Sequence, residues 1–414
     1  MEPLLGKGPR PRGYVRQTAA LFSPGAMSSS KALADHNLDL RMKRLRQAIS
    51  GGVRRRTSGR TRHMRALILA PGGRLTWRSV PAPLPPGPLG AIVHPIAMAT
   101  CDLDRAMGLG HTPFPLPLQF GHECVAEVVA IGSEVSRIRV GQVVVVPFQI
   151  SCGECSSCLA GHTGNCLSVP PVSMYGFGLG GGHWGGTLAD ELAVPFADAM
   201  LVPLPAGVDP AAAASVGDNI SDAHRHVAPY LPGILQRDPE AEVLIIATVD
   251  RRPIFTPSCA LYAGQFALAL GGTRVTYVDT RQGARDIAAG LGMTAMSPRD
   301  LRGHPLAPLV IDMTFASRGH RLALSHIAPD GICSNAGSLH RHGSIPLSLM
   351  YARNVTLSVS RSHARSQIPG VLELMADGRV RPELVTTIQT DLDDAKEALG
   401  AHLAGQSVKT VLTA

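Results

Sequence analysis

Four cysteines fall within fifteen residues, as Cys152-x2-Cys155-x2-Cys158-x7-Cys166, and no other stretch of the chain restricts its fold so tightly. Four thiolates on a short, glycine-containing segment can converge on one tetrahedral zinc at about 2.3 Å. Such a set leaves no ligand position open, so the site it forms is structural. Cysteines buried merely as small apolar groups would not take this spacing among Gly, Ser, Glu and Asn neighbours. A zinc ribbon for nucleic acid would need basic or aromatic residues around the lobe, and only His162 lies inside it. Clustered cysteines without a secretory signal point to metal, not to a disulfide framework.

The 414 residues suffice for two domains with separate cores. No apolar run approaches the roughly 20 residues needed to span a bilayer, so a soluble, cytoplasmic protein is expected. The net charge of +8 is local: residues 1–63 hold 14 Lys/Arg and 3 Asp/Glu, and the remainder carries a net −3. A basic protein invites a nucleic-acid reading, but here it would rest on the leader alone. That leader is Arg-rich (Arg54, Arg55, Arg56, Arg60, Arg62) and has no apolar h-region, so it does not read as a secretory signal. It reads as an over-extended start, a disordered basic arm or a targeting segment, and Met64 opens the first strand pattern, MRALIL.

From Met64 the chain is strand-rich, with AIVHPIA, ECVAEVVAIG and VGQVVVVPF punctuated by Gly and Pro. Residues 151–186 form an irregular lobe. After Asp209 the pattern changes. AAAASVGDNISDAHRHV reads as one alanine-rich helix, and EVLIIA, CALYAGQFALALG, RVTYVD, ARDIAAGLGM and PLVIDMTF then alternate strand with helix. Alternation of this kind implies parallel βαβ units. The expected fold class is α/β, a β-rich domain followed by a doubly wound domain.

Cys101, the Gly121-His122-Glu123 step and Asp218 are weak signals singly. In this order around the four-cysteine lobe they resemble the zinc-containing medium-chain alcohol dehydrogenase family, over nearly all of 64–414. The resemblance implies a GroES-like catalytic domain over 64–213, with its zinc lobe at 151–186. It implies a Rossmann domain over 214–360 and a return to the catalytic domain over 361–414. It makes Cys101 and His122 catalytic zinc ligands, and Asp218 the third, as in formaldehyde dehydrogenase-like members. Asp104 matches the carboxylate that orients the ligand His, and Glu123 the acid beside it. Two Zn2+ per chain follow, one structural and one catalytic. Three protein ligands leave one zinc position for water or substrate, and one thiolate, one neutral imidazole and one carboxylate balance the metal's charge. Leu103 and Ala106 replace the family's usual proton-relay Ser/Thr and His; Asp102, His111 or water are the possible substitutes.

The dinucleotide signature is altered. Asp279 ends RVTYVD, 34 residues after Ile245, where a carboxylate meets the ribose and disfavours a 2′-phosphate, so NAD is expected over NADP. Ala260 stands for the third glycine of the phosphate turn, but the first two are gone. Arg251 and Arg252 are candidate phosphate contacts, and Lys409 in SVKTVLTA matches a basic residue that meets the pyrophosphate. Trp184 and Tyr175 are candidate cleft residues. The expected activity is hydride transfer between NAD(P) and a small alcohol, aldehyde or ketone, in a homo-oligomer (dimer or tetramer) that engages neither nucleic acid nor membrane. The rival is a zinc-stabilised, catalytically degenerate relative that serves as a binding protein. Bulk at Val249–Arg252 predicts NAD binding about ten- to hundredfold weaker than with intact glycines, a deficit of about 1.4–2.8 kcal/mol. A cofactor titration checks it, and tight binding would refute it.

Overall fold

The computed structural model describes residues 62–337 and 345–414. All of the leader expected over 1–63 except Arg62 and His63 lies outside the described residues. The first strand begins at His63, one residue before Met64, and Arg62 forms an ion pair with Glu191.

Strands β1 (His63–Ala70) and β2 (Arg74–Pro81) make an antiparallel hairpin, joined on its other side by β4 (Leu118–Gln119). A second sheet contains β3 (Ala91–Ala99), β5 (Glu123–Ile131), β6 (Val143–Val146), β7 (Leu192–Val194) and β8 (Val202–Pro203). Its far edge comes from the other end of the chain. Strand β16 (Thr410–Thr413) pairs antiparallel with β3, and β15 (Ile388–Asp391) pairs with β16.

The third sheet is wholly parallel. Its strands are β9 (Glu242–Ile246), β10 (Arg274–Val278), β11 (Thr294–Met296), β12 (Ala307–Asp312), β13 (Ile327–Asn335) and β14 (Thr356–Val359). They run in the order β11-β10-β9-β12-β13-β14, so the order reverses between β9 and β12. This is a doubly wound sheet, and its switch point is where ligands of such sheets bind. Buried on both faces, β9 reads as the uninterrupted run EVLII with every residue buried. GroES-like and Rossmann architecture follows, as the resemblance implied. Among the described residues no helix is long and apolar enough to cross a membrane.

Four helices position the site: α1 (Asp102–Gly108), α2 (Asn219–Arg225), α3 (Ser258–Ala269) and α4 (Ala364–Ala376). The alanine-rich stretch is not one helix as expected. A short turn of helix over Pro210–Ala213 stops, and α2 restarts at Asn219. The break falls at Gly217, where a Cβ would lie 2.4 Å from the Val146 carbonyl oxygen. The Gly217 carbonyl accepts from Phe148 N at 3.1 Å, tying the break to the end of β6. Asp218 is left at the head of α2 with φ −146° and ψ −86°, outside the helical region. Gly217→Ala should therefore reduce unfolding free energy by about 1–3 kcal/mol through overpacking. Denaturant melts check this, and an unchanged midpoint would show that the break tolerates a side chain.

Candidate metal centres and cofactor cleft

Cys101 caps the N-terminus of α1. Leu103 N donates to its Sγ at 3.5 Å, and Cys101 N donates to Asp104 Oδ2 at 2.8 Å. Two acids in the first turn, Asp102 and Asp104, suit the positive end of a helix. His122 and Glu123 enter from the start of β5, and Asp218 from the head of α2. One donor atom each of Cys101, His122, Glu123 and Asp218 lies within 4.8 Å of the other three, and all four residues are buried. His122 Nε2 stands 3.2 Å from Asp218 Oδ2, while its Nδ1 faces Asp104 Oδ1 at 3.8 Å. The rings of Phe177 and Phe148 flank the imidazole, with centroids 4.9 and 5.9 Å away.

Glu123 is held by other partners. Its Oε2 accepts from Lys409 Nζ at 2.8 Å and Ser215 Oγ at 2.6 Å, and its Oε1 from Asn219 N at 2.9 Å. Lys409 is fully buried, and its ammonium also donates to Asn219 Oδ1 at 3.1 Å and to the Thr100 carbonyl. Burial works against the lysine's charge, but Glu123 more than restores it, so the ammonium is held above its ordinary value. Asn219 completes the floor by donating from Nδ2 to Cys101 Sγ at 3.3 Å. Buried His402 sits beneath, its Nε2 3.3 Å from the Cys101 carbonyl oxygen.

Cys101, His122 and Asp218 thus remain for a metal, and their chemistry fits zinc. Burial pushes the Cys101 thiol well up, and the charges of Asp218, Glu123, Asp104 and Asp102 push it further. Burial alone would depress His122, yet Asp218 and Asp104 carry it up to about 9. So much negative charge in one dry place calls for a cation. His122 Nδ1 and Asp104 Oδ1 are also buried without a hydrogen-bond partner and face each other at 3.8 Å, behind the ring nitrogen that meets Asp218.

The four-cysteine lobe brings its sulfurs equally close, all within 4.8 Å. Amides aim at them: Cys152 N at Cys166 Sγ, Cys155 N at Cys152 Sγ and Leu167 N at Cys155 Sγ, each at 3.4 Å. Burial opposes ionisation, but donation from the Leu167 and Cys158 amides draws the Cys155 thiol down to about 6. Cys152 is lowered as well, whereas burial pushes the Cys158 and Cys166 thiols up, so the amides favour the thiolate at two of the four positions.

The cleft at the switch point differs from the sequence reading. Asp279 is fully buried, and both of its oxygens are taken. Oδ1 accepts from Arg281 Nε at 2.9 Å and Arg281 N at 2.8 Å; Oδ2 accepts from Arg281 Nη2 at 2.7 Å and Tyr277 Oη at 2.9 Å. Lys409, expected at the pyrophosphate, points instead into the floor of the metal site, because buried Glu123 needs its charge. Ala260 is buried in α3, among the residues packed on the sheet. Of the residues expected to crowd the phosphate position, Val249 turns into the core and Arg251 to solvent, while Asp250 and Arg252 line the switch-point cavity. Asp102, a candidate proton relay, faces the N-terminus of α3 and away from the metal ligands. Tyr175 is wholly buried and donates to the Ala193 carbonyl at 2.9 Å, so it belongs to the core and does not line a cleft. Trp184 is half-buried against the same core.

Residues 87–206 match the alcohol dehydrogenase GroES-like domain. A probable zinc-binding alcohol dehydrogenase of Mycobacterium tuberculosis is 28% identical over 80% of this chain and 83% of that protein. The solved alcohol dehydrogenase of Thermus sp. ATN1 superposes with a TM-score of 0.75 at 26% identity, covering 84% of this chain and 99% of that one. Over these shares the chain is similar to zinc-containing medium-chain alcohol dehydrogenases in sequence and in fold. A glutathione-independent formaldehyde dehydrogenase of Pseudomonas aeruginosa is 35% identical, over 34% of this chain and only 37% of its own length.

Sequence reasoning brought together Cys101, His122, Asp218, Asp104 and Glu123. It missed Asn219, Ser215 and His402, whose partners lie far away in sequence; Asn219 follows Asp218 directly and was the one within reach. Protein purified without chelator should contain about two zinc ions per chain by elemental analysis. Cys155→Ser should lose one and melt earlier, since structural zinc contributes to folding. Asp218→Ala should lose the other and keep its fold. If the two variants behave alike, the division into structural and catalytic centres is wrong.

Proposed function

We propose that the chain is a zinc-dependent oxidoreductase that moves a hydride between NAD(P) and a small alcohol or aldehyde. One observation carries this reading: Glu123 is bound to Lys409, Ser215 and Asn219. That leaves Cys101, His122 and Asp218 as three ligands and a fourth metal position for substrate. Zinc held there supplies Lewis acidity, which favours the alkoxide of an alcohol and polarises a carbonyl.

The chain's own residues do the rest. Asp104 anchors the Cys101 amide and stands behind His122, so it fixes the orientation of two ligands at once. Asn219 donates to the Cys101 sulfur and moderates its charge. Phe148 and Phe177 give the imidazole an apolar flank that excludes water from that side. Leu103 and Ala106 hold the relay positions, and Asp102 is turned to the head of α3.

The nicotinamide cofactor enters this reading through the family. The switch-point cavity, bordered by Thr248, Phe255 and Thr314, holds about 180 Å³. That is smaller than the roughly 300–1,000 Å³ of pockets for small organic ligands. We infer NAD(P) without a preference between the two, because Asp279, the residue expected to disfavour a 2′-phosphate, is buried and paired with Arg281.

The test is a panel of small alcohols and aldehydes with NAD and NADP, followed by nicotinamide absorbance. Turnover should stop when a chelator removes zinc and return when zinc is restored. Cobalt in the catalytic centre should shift its visible bands when the preferred alcohol is added. Zinc-loaded, folded protein that turns over no member of the panel would refute the proposal.

A further inference from the structure

The N-terminus of α3 is where a dinucleotide-binding sheet presents free backbone N–H groups to a pyrophosphate. Here those groups are not free. Asp102 Oδ1 accepts from Ser258 N at 3.0 Å and Thr256 Oγ1 at 2.8 Å, and from the Ser258 hydroxyl. Its Oδ2 accepts from Cys259 N at 3.0 Å. Asp102, Thr256, Ser258 and Cys259 are all buried. A carboxylate with two amides and two hydroxyls around it, on the axis of a helix N-terminus, reproduces the environment of a bound phosphate.

Two further contacts close the same cleft. Arg105, one turn along α1 from Asp102, donates to the Pro253 carbonyl, and Arg281 Nη1 donates to the Phe255 carbonyl at 2.8 Å. The segment between β9 and α3 is thereby drawn down, and the Phe255 ring lies on Phe315 with centroids 4.5 Å apart. Helix α1 contributes both Asp102 and Arg105, so movement of that one helix would free the phosphate seat and one anchor of the segment above it.

We propose that Asp102 is an internal stand-in for the cofactor's pyrophosphate, and that a dinucleotide binds only by expelling its side chain. The inference rests on reading the chain as an NAD(P)-linked dehydrogenase. Two anions cannot share one helix terminus, so the free-energy cost of displacing Asp102 is subtracted from cofactor affinity.

Zinc-loaded wild type, Asp102→Asn and Asp102→Ser are titrated with NADH, NADPH, ADP-ribose and adenosine by calorimetry. The asparagine keeps the shape of the side chain but turns an amide toward the Cys259 N–H. Both variants should bind NADH and ADP-ribose at least tenfold more tightly than wild type, with adenosine, which has no phosphate, unchanged. Equal or weaker binding of ADP-ribose by the folded variants overturns the inference. So does an equal gain for adenosine, which would mean a general loosening of the cleft. Tighter ADP-ribose binding without nicotinamide-linked turnover on the alcohol panel would support the stand-in and refute the dehydrogenase reading. A crystal of wild type with ADP-ribose decides the matter if the variants do not fold. Asp102 should have left Ser258 N and Cys259 N, and a ligand bound with those contacts intact overturns the inference.

Discussion

The buried ion pair between Glu123 and Lys409 holds together parts of the chain that are far apart in sequence. Glu123 opens β5, and Lys409 immediately precedes β16, 286 residues later. Neither charge is tolerable in the interior alone, since removing one partner of a buried pair costs about 3–5 kcal/mol. Their mutual need sets the C-terminal strand against β3, and β3 in turn carries the chain into Cys101. Asn219 and the Thr100 carbonyl take the remaining donors of the ammonium, so the pair also fixes the head of α2. The metal ligands stand on this floor.

That floor explains the separation of roles among the acids. Glu123 lies as near the ligand cluster as Asp218 does, but its charge is answered from below. Among the described residues Asp218 is met by no lysine or arginine and faces His122 Nε2 directly. Two carboxylates of similar position thus differ because only one has a lysine, and the unanswered one is left for the metal.

The catalytic and dinucleotide parts are joined through α1. Cys101 at its cap belongs to the metal cluster, and the next residue, Asp102, reaches across to α3. Neighbouring side chains on one short helix therefore serve the two sites, and a shift of that helix is felt at both. The cleft is closed from within by bonds to charged groups, each worth about 1.5–3 kcal/mol net, and it is lined by Asp250, Arg252 and Pro253 of the loop that replaces the glycine turn.

The sequence alone determined the local chemistry. The four-cysteine spacing, the Cys101, His122 and Asp218 set and the alternation after Asp209 were legible because ligand spacing and hydrophobic period are properties of short segments. Element ends were less legible. One alanine-rich run became two helices, and the break at Gly217 is tied to the end of β6, far away in sequence, by the Phe148 N bond to its carbonyl. The destinations of Lys409, Asp102 and Asp279 were decided only by the tertiary structure. Each is a buried charge, and a buried charge goes where its counter-charge or its donors are. Those partners, Glu123 for Lys409, Ser258 and Cys259 for Asp102, and Arg281 as turned by the Phe255 carbonyl for Asp279, become neighbours in this way only once the sheets have packed.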